Sequence, residues 1–577
     1  MKAMKIFTIF FLSMLLFFAI GPSWSAQGPD NQSSDSLTLA GNVANVQGKG
    51  VKDVTVAVFI DGKEVHLADE LVTHDGGGFQ RKLNLPRGKL PGAKVEVEFS
   101  KTAYKPSGRV VLDRVFEERK DDKGNTHFLA HKDFTMQRAI SPTFWLASLI
   151  LLGVYVVIAF ELLHRTLAAL MGAALILTIS YTVGTFYPEY HILSFEDAAG
   201  AIDINVIWLL MAMMIIVGVM KKTGVFQWLA LKCFEASKGN IFALSAIMMF
   251  ITGVVSAFLD NVTTMLLMTP VTIEISRALR LNPLSLMLPE AFASNVGGTA
   301  TIIGDPPNVM IGSYAKLTFM DFVDNLAVIC LIGLAVSILY YIWYFKKDYK
   351  KAVVGDVAEM TKTLREEYKI TDPRLLTISL IVLGLTVLLF VFHGPLHMEV
   401  GVAALMGAGV LLVLSRVDIV QMLEKEIEWP TLIFFMMLFI VVAGAEESGL
   451  IQVIADWVRD MSGGSLMVAV VLILWVSAIA SAFIDNIPFT ATMLPITAYL
   501  TKVIPGAAES NVLWWALALG ACLGGNGTMI GASANVVTIG IAEAAGYPIK
   551  FFAFMKYAFA YMLISVAICN VWLLIFY

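Results

Sequence analysis

Charge is what this chain of 577 residues has least of: Asp, Glu, Lys and Arg together make 15% of it, against 57% hydrophobic residues. Mean hydropathy is +0.74. A water-soluble protein of this length has too little interior for so much apolar surface, so the class that remains is a polytopic membrane protein. Cysteine is scarce as well. Cys233, Cys330, Cys522 and Cys569 all lie in the apolar part without metal or redox spacing, and read as packing material. No Gly-x-x-x-x-Gly-Lys-Ser/Thr loop is present, so any energy the protein uses would come from gradients or from a partner. The net charge of −5 gives no hint of nucleic acid. Neither a catalytic constellation nor a cofactor is expected.

The first 26 residues, MKAMKIFTIFFLSMLLFFAIGPSWSA, combine a short basic start, an apolar core and the small-x-small run Ser23-Trp24-Ser25. That is a secretory signal, with a retained anchor helix as the rival reading. The next segment is exported in either case, and the signal style is bacterial. From about Ser36 to Asp133 the pattern changes to period-two alternation. "VTVAVFIDGKEV" alternates before an Asp61-Gly62 turn, "FQRKLNL" puts Phe79, Leu83 and Leu85 on one face, and "KVEVEF" does so with Val95, Val97 and Phe99. Short antiparallel strands in a small β-sandwich follow. His127 and His131 stand four apart, a spacing that holds a metal on a helix, but with no third ligand in view they read as solvated.

From Ser141 on, apolar stretches of spanning length recur, near 143–161, 166–183, 204–220, 324–345, 376–392, 398–415, 430–445 and 552–576, with broken ones at 283–315 and 512–542. Basic residues set the orientation. Cytoplasmic turns would hold Arg165, Lys221, Lys222, Arg277, Arg280, Arg416 and Lys550, and the external loop from Gly184 to Asp203 has no Lys or Arg. The expected organisation is a signal peptide at 1–25, a periplasmic β-sandwich at 26–140, a first transport repeat at 141–345, a cytoplasmic linker at 346–374 and a second, inverted repeat at 375–577. The fold class is thus a mainly α polytopic membrane protein with two inverted repeats, about ten transmembrane spans and two re-entrant helical hairpins, carrying an N-terminal extracytoplasmic β-sandwich.

The repeat rests on colinear matches about 225 residues apart. Ile202-Asp203 recurs as Ile427-Glu428, and Thr223-Gly224-Val225 as Ser448-Gly449-Leu450, each opening an amphipathic stretch. "SAFLDN" (Ser256 to Asn261) recurs as "SAFIDN" (Ser481 to Asn486), with Pro270 matching Pro495. "GGTATIIGDPPNV" (Gly297 to Val309) recurs as "GGNGTMIGASANV" (Gly524 to Val536). Polar, glycine-broken segments at equivalent places mark a secondary transporter.

Gly297-Gly298 and Gly524-Gly525 disfavour a continuous helix and Pro306-Pro307 cannot extend one, so both spans should unwind near mid-membrane. Asn295, Thr299, Thr301, Asn308, Asn526, Thr528 and Asn535 would then line a cavity. Each Asp-Asn stretch would sit at the tip of a hairpin built from two half-depth helices. Asp260, Asn261, Thr263 and Thr264 belong to one tip, and Asp485, Asn486 and Thr490 to the other. An intramembrane carboxylate is a cation ligand or proton carrier by default, whereas a helix cap is the plainer role. Glu290 and Asp305 have Leu517 and Ala532 as their counterparts, which would make the first repeat the charged half. A salt bridge to Arg277 or Arg280 explains Glu290 equally well.

"FLDNVTTMLLMTPVTI", "SNVGGTATIIGDPPNVMIGS", "FIDNIPFTATMLPI" and "ACLGGNGTMIGASANVVTIGIAEAAGY" closely resemble the melanosomal P protein-like branch of the ion-transporter superfamily. That superfamily also holds arsenite pumps, sodium/proton antiporters and citrate or dicarboxylate carriers. The resemblance covers the chain from about Ser141 to the end. It implies a homodimer in a bacterial inner membrane, with a mobile domain that carries both hairpins and both broken spans in an elevator motion. Its dicarboxylate carriers have Ser-Asn-Thr tips, and this chain departs from them with Asp260-Asn261-Val262-Thr263 and Asp485-Asn486-Ile487-Pro488. Two carboxylates at the tips repel a dianion and favour sodium/proton antiport. Sodium would bind at Asp260, Asn261, Asp485 and Asn486. An anion carrier for arsenite, citrate or chloride is the alternative, and a channel or receptor is the reading from another class.

Overall fold

The computed structural model describes residues 34–577 apart from 353–360, single residues at 363 and 367, and short breaks before residue 141. The expected signal at 1–25 lies outside the described residues. The chain divides into two units, one reaching Met136 without residues 102–105, the other made of those four and everything from Gln137 on.

The first unit is built of β1 (Ser34–Asn45), β2 (Thr55–Ile60), β3 (Lys63–Glu64), β4 (Gly78–Pro86), β5 (Val95–Ser100), β6 (Arg109–Val111), β7 (Val115–Lys120), β8 (Thr126–His131) and β9 (Phe134–Met136). They form one sheet in the order β4-β1-β8-β7, with β9 also on β1, and a second in the order β3-β2-β5-β6. The alternation places Leu37, Leu39, Val56, Val58, Phe79, Val97 and Phe99 inside, and Phe79 meets Phe99 of the other sheet edge-on at 5.7 Å. Asp61 and Gly62 both take positive φ, as the two-residue turn between β2 and β3 demands. Not every pairing is antiparallel: β1 runs parallel to β8 and to β9, because the chain visits the second sheet before returning to its first strand. His127 and His131 both lie on β8, where four residues span about 13 Å instead of one helical turn. His127 bonds Ser36 Oγ at 2.5 Å, and His131 lies 3.1 Å from Asp133.

The second unit holds eighteen principal helices. The first nine are α1 (Pro142–Ala159), α2 (Arg165–Tyr181), α3 (Ile204–Lys221), α4 (Val225–Ser237), α5 (Ile241–Phe258), α6 (Asn261–Ala278), α7 (Leu284–Gly298), α8 (Pro306–Ala315) and α9 (Phe319–Tyr344). The last nine follow in the same order as α10 (Pro373–Phe392), α11 (Val400–Ser415), α12 (Trp429–Glu447), α13 (Leu450–Ser462), α14 (Leu466–Phe483), α15 (Asn486–Val503), α16 (Val512–Gly524), α17 (Ser533–Ala544) and α18 (Phe551–Phe576). Among the described residues, nine helices are long and apolar enough to cross a membrane: α1, α2, α3, α5, α9, α10, α12, α14 and α18.

The hairpins differ from expectation in length. α5, α6, α14 and α15 each have 18 residues, about 27 Å of helix and close to a full bilayer core, not half of one. The polar residues that made these stretches look interrupted point inward. Ser245, Thr252 and Ser256 are all buried on α5, which packs along α7. Both broken spans do unwind. α7 ends at Gly298 and α8 starts at Pro306, where a missing N–H costs nothing because first-turn donors have no helical acceptor. α16 ends at Gly524, a tight turn over Gly525–Gly527 follows, and α17 starts at Ser533.

Packing crosses between the two halves. α1 and α2 lie on α12, while α10 and α11 lie on α3. α17 packs on hairpin arm α6, and α8 on hairpin arm α15. This exchange brings both tips and both unwound loops to one place. The linker also has attachments: Thr371 N–H donates to Thr223 O at 3.0 Å, and Tyr368 OH bonds Glu274. Arg365 reaches Glu235 at 2.7 Å, whose carboxyl is held below the usual range first by Lys232 and then by Arg365.

Candidate functional site at the hairpin tips

Each tip is an aspartate at the first cap of a hairpin's second arm. Asp260 accepts from Thr263 N–H at 2.9 Å and from the Thr263 hydroxyl at 2.5 Å. Asp485 accepts from Ile487 N–H at 3.0 Å. The capping role is therefore present at both, satisfying amides that a helix start leaves open. Asp485 does more. Its second oxygen accepts from Ser533 Oγ at 3.0 Å and faces Arg165 Nη1 at 3.2 Å. Arg165 also bonds Ser533 and donates to Thr431 Oγ1 at 3.2 Å, with its guanidinium 5.3 Å from the Phe434 ring centre.

Behind the tips the unwound loops are tied down twice by the same device. Asn261 N–H donates to Gly304 O at 3.1 Å, and Asn486 N–H to Gly531 O at 3.2 Å. Thr301 Oγ1 donates to Ala257 O at 2.5 Å, and Thr528 Oγ1 bonds Ala482 O. Asn308 Nδ2 donates to Thr299 O and Thr301 O at 2.9 Å each, while Asn535 Nδ2 donates to Gly525 O at 2.9 Å and Thr528 O at 3.0 Å. Backbone freed by the break is thus paired by side chains, which is what lets irregular chain survive away from water.

Asparagine side chains add further links between the halves. Asn261 Nδ2 donates to Asn295 Oδ1 at 2.9 Å, and Asn295 Nδ2 donates to Asn526 Oδ1 at 2.8 Å and Asn535 Oδ1 at 3.2 Å. Asn486 Nδ2 lies 3.3 Å from Asp305 Oδ1, so Asp305 is the carboxylate that reaches the opposite tip's asparagine. Thr299 folds back on Asn295 O. Among the described residues, Asn261 Oδ1, Thr264 Oγ1, Thr490 Oγ1 and Asn526 Nδ2 are buried with no hydrogen-bond partner. An unpaired buried polar atom costs about 1–3 kcal/mol, a cost that a bound species reaching these atoms would offset. Gly297, Gly298, Gly524 and Gly525 act by closeness: a Cβ on Gly298 would stand 2.4 Å from Gly304 O, and on Gly525 2.7 Å from Gly531 O.

A pocket lies against Asp260 and is lined by Arg165, Met213, Glu428, Thr431, Ile487 and Ser533 among others. Arg165, Glu428 and Thr431 were not among the sequence candidates. Arg165 served there only as a positive residue in a turn, and its partner lies 320 residues away. Glu428 carried a signal as the repeat of Asp203. No group of three or more metal-ligating His, Cys, Asp or Glu side chains exists among the described residues.

Asn295 is the hub of this network, and Asn295→Ala would leave side-chain atoms of Asn261, Asn526 and Asn535 without partners. The expected cost is about 2 kcal/mol or more, read as a lower unfolding midpoint of the purified protein in detergent. An unchanged midpoint would show that the network contributes nothing.

The citrate transporter family matches residues 155–520. A Mycobacterium tuberculosis protein described as an uncharacterized transporter is 39% identical over 424 residues, 74% of this chain and 96% of its own length. The human P protein is 33% identical over 504 residues, covering 74% of this chain and 59% of that protein. The Alcanivorax borkumensis YdaH transporter structure is 15% identical, with a TM-score of 0.49 over 71% of this chain and 98% of that one. The chain is a multi-pass membrane transporter and belongs to the citrate transporter family.

Proposed function

We propose that this transporter is a secondary active exchanger of a monovalent cation, sodium, against protons. The observation that carries the reading is the donor set at the tips. Asp260, Asp305 and Asp485 are each buried, and oxygens of Asn261 and Thr264 lack partners among the described residues. Among the described residues, Arg165 pairs with Asp485 alone of the three. Such a surplus of hard oxygen and negative charge suits a small cation and repels a polycarboxylate. Burial is what lets proton and cation compete for one carboxylate near neutral pH. In this reading the two nine-helix sets are inverted repeats, the hairpins and broken helices move together as an elevator, and the protein is a homodimer in a bacterial inner membrane. The β unit then stands on the periplasmic side.

The test is proteoliposomes with an entrapped pH indicator. Added sodium is expected to dissipate a preset pH gradient, and Asp260→Asn or Asp485→Asn to slow this at least about tenfold, equivalent to about 1.4 kcal/mol. Sodium-independent uptake of labelled citrate or arsenite that both variants keep would replace this reading with the anion carrier.

A further inference from the structure

Glu290 lies outside the tip site, on α7, and only 1% of it is exposed. One oxygen, Oε2, takes the Thr272 hydroxyl of α6 at 2.7 Å. The other, Oε1, is buried with no partner. The salt bridge expected with Arg277 or Arg280 is not formed. Arg277 Nη2 instead donates to Ala545 O at 2.6 Å, with its guanidinium 5.4 Å from the Tyr547 ring. Among the described residues no ion pair to Glu290 exists.

The surrounding polar atoms are otherwise provided for. Pro289 removes the N–H that would bond Ser285 O within α7, and Tyr349 OH supplies that carbonyl at 2.7 Å while meeting Ser245 Oγ at 2.9 Å. Nor does the architecture require an acid here. Leu517, the counterpart on α16, is fully buried in the equivalent place.

Titratable groups on the neighbouring elements do not neutralise it. Cys233 on α4 and Tyr349 carry no positive charge. On α6 Glu274 is bonded to Tyr368 and Arg277 is turned to Ala545. α5 has no ionisable side chain and α16 offers Cys522. α17 adds the exposed Glu543, and α9 adds Tyr340, Tyr341, Tyr344 and the acids of its first turns. A buried carboxylate without a counter-charge costs several kcal/mol, so a cation must come from outside the chain's own residues.

We infer that Glu290 is a second monovalent-cation site, separate from the hairpin tips, whose ligand is a proton or an alkali ion. Its part in coupling rests on the transport reading; its occupancy does not. Oε1 is the ligating or proton-bearing atom, and Thr272 orients the carboxyl.

The test is the unfolding midpoint of the purified full-length protein in detergent, between pH 6 and 9, with sodium chloride or choline chloride at equal ionic strength. Glu290→Gln keeps the shape without the charge. If the ligand is a proton, this variant loses at least half of the pH-dependent shift and keeps the sodium shift. If it is an alkali ion, the sodium increment falls by at least half instead. Asp260→Asn with Asp485→Asn is expected to leave the Glu290 component in place, so failure of the tip reading shows separately. Should Glu290→Gln not fold, Glu290→Leu, copying the counterpart position, takes its place. Full retention of both responses in the variant overturns the site.

Discussion

Arg165→Gln is expected to destabilise the protein by about 1–3 kcal/mol and to lower the apparent KM for sodium about tenfold. The stability effect follows from what is left behind. Asp485, with a side chain 8% exposed, would keep Ser533 and one amide but lose its only ion-pair partner among the described residues. Breaking a buried pair costs about 3–5 kcal/mol, and the lower figure here reflects an Arg165 side chain that is 24% exposed. The effect on sodium follows from the proposed exchange, because Arg165 already occupies an oxygen that the incoming ion would use. Removing this internal competitor raises affinity for the ion. Asp485→Asn in the same chain should return most of the lost stability, a coupling of about 1 kcal/mol or more in a double-mutant cycle. Midpoints in detergent give the first quantity and initial rates in proteoliposomes the second. Strictly additive midpoints together with an unchanged KM would leave the pair no role in binding.

That pair also marks where the sequence stopped being informative. The two aspartate caps and the two breaks are legible because each is a local pattern: Asp-Asn within an apolar run, and Gly-Gly ahead of a second short helix. Which carboxylate meets which partner is not local. Asp305 reaching Asn486 spans 181 residues and Arg165 reaching Asp485 spans 320, and both depend on α8 lying against α15 and α1 and α2 against α12. The parallel pairing of β1 with β8 was hidden for the same reason. Hairpin length is obscured for another cause. Buried hydroxyls on α5 lower its apolarity without shortening it, since a hydroxyl inside a helix bundle can bond a carbonyl or a neighbouring chain. Ser256, bonded to Ser294 at 3.0 Å, is such a case.

Gly297→Ala is expected to have the largest effect on folding of any single methyl added in the helical unit. An ideal Cβ at Gly297 would stand 2.0 Å from Gly253 O and 2.6 Å from Gly253 Cα. Both obstacles are backbone, so no rotamer change relieves them, and α5 and α7 must move apart by more than an ångström to restore ordinary contact. In a membrane, helices associate mainly through close van der Waals packing and interhelical hydrogen bonds, and this displacement spends both. The Ser294–Ser256 bond at 3.0 Å crosses the same interface, and the Asn261–Asn295 bond at 2.9 Å ties α7 to the start of α6 beside it. Overpacking alone costs about 1–3 kcal/mol, and each hydrogen bond lost from a buried group adds about 1 kcal/mol or more. A total near 3–5 kcal/mol is a large fraction of the roughly 5–15 kcal/mol that holds an ordinary domain folded. Gly524→Ala meets Ala478 O at 2.4 Å at the equivalent place and should be nearly as severe, whereas Gly409→Ala on α11 meets nothing within 4 Å and should change the midpoint by less than about 1 kcal/mol. Yield and unfolding midpoint of the three variants decide it. If Gly297→Ala behaves like Gly409→Ala, the close approach of α5 to α7 is not what holds the first tip against its unwound loop.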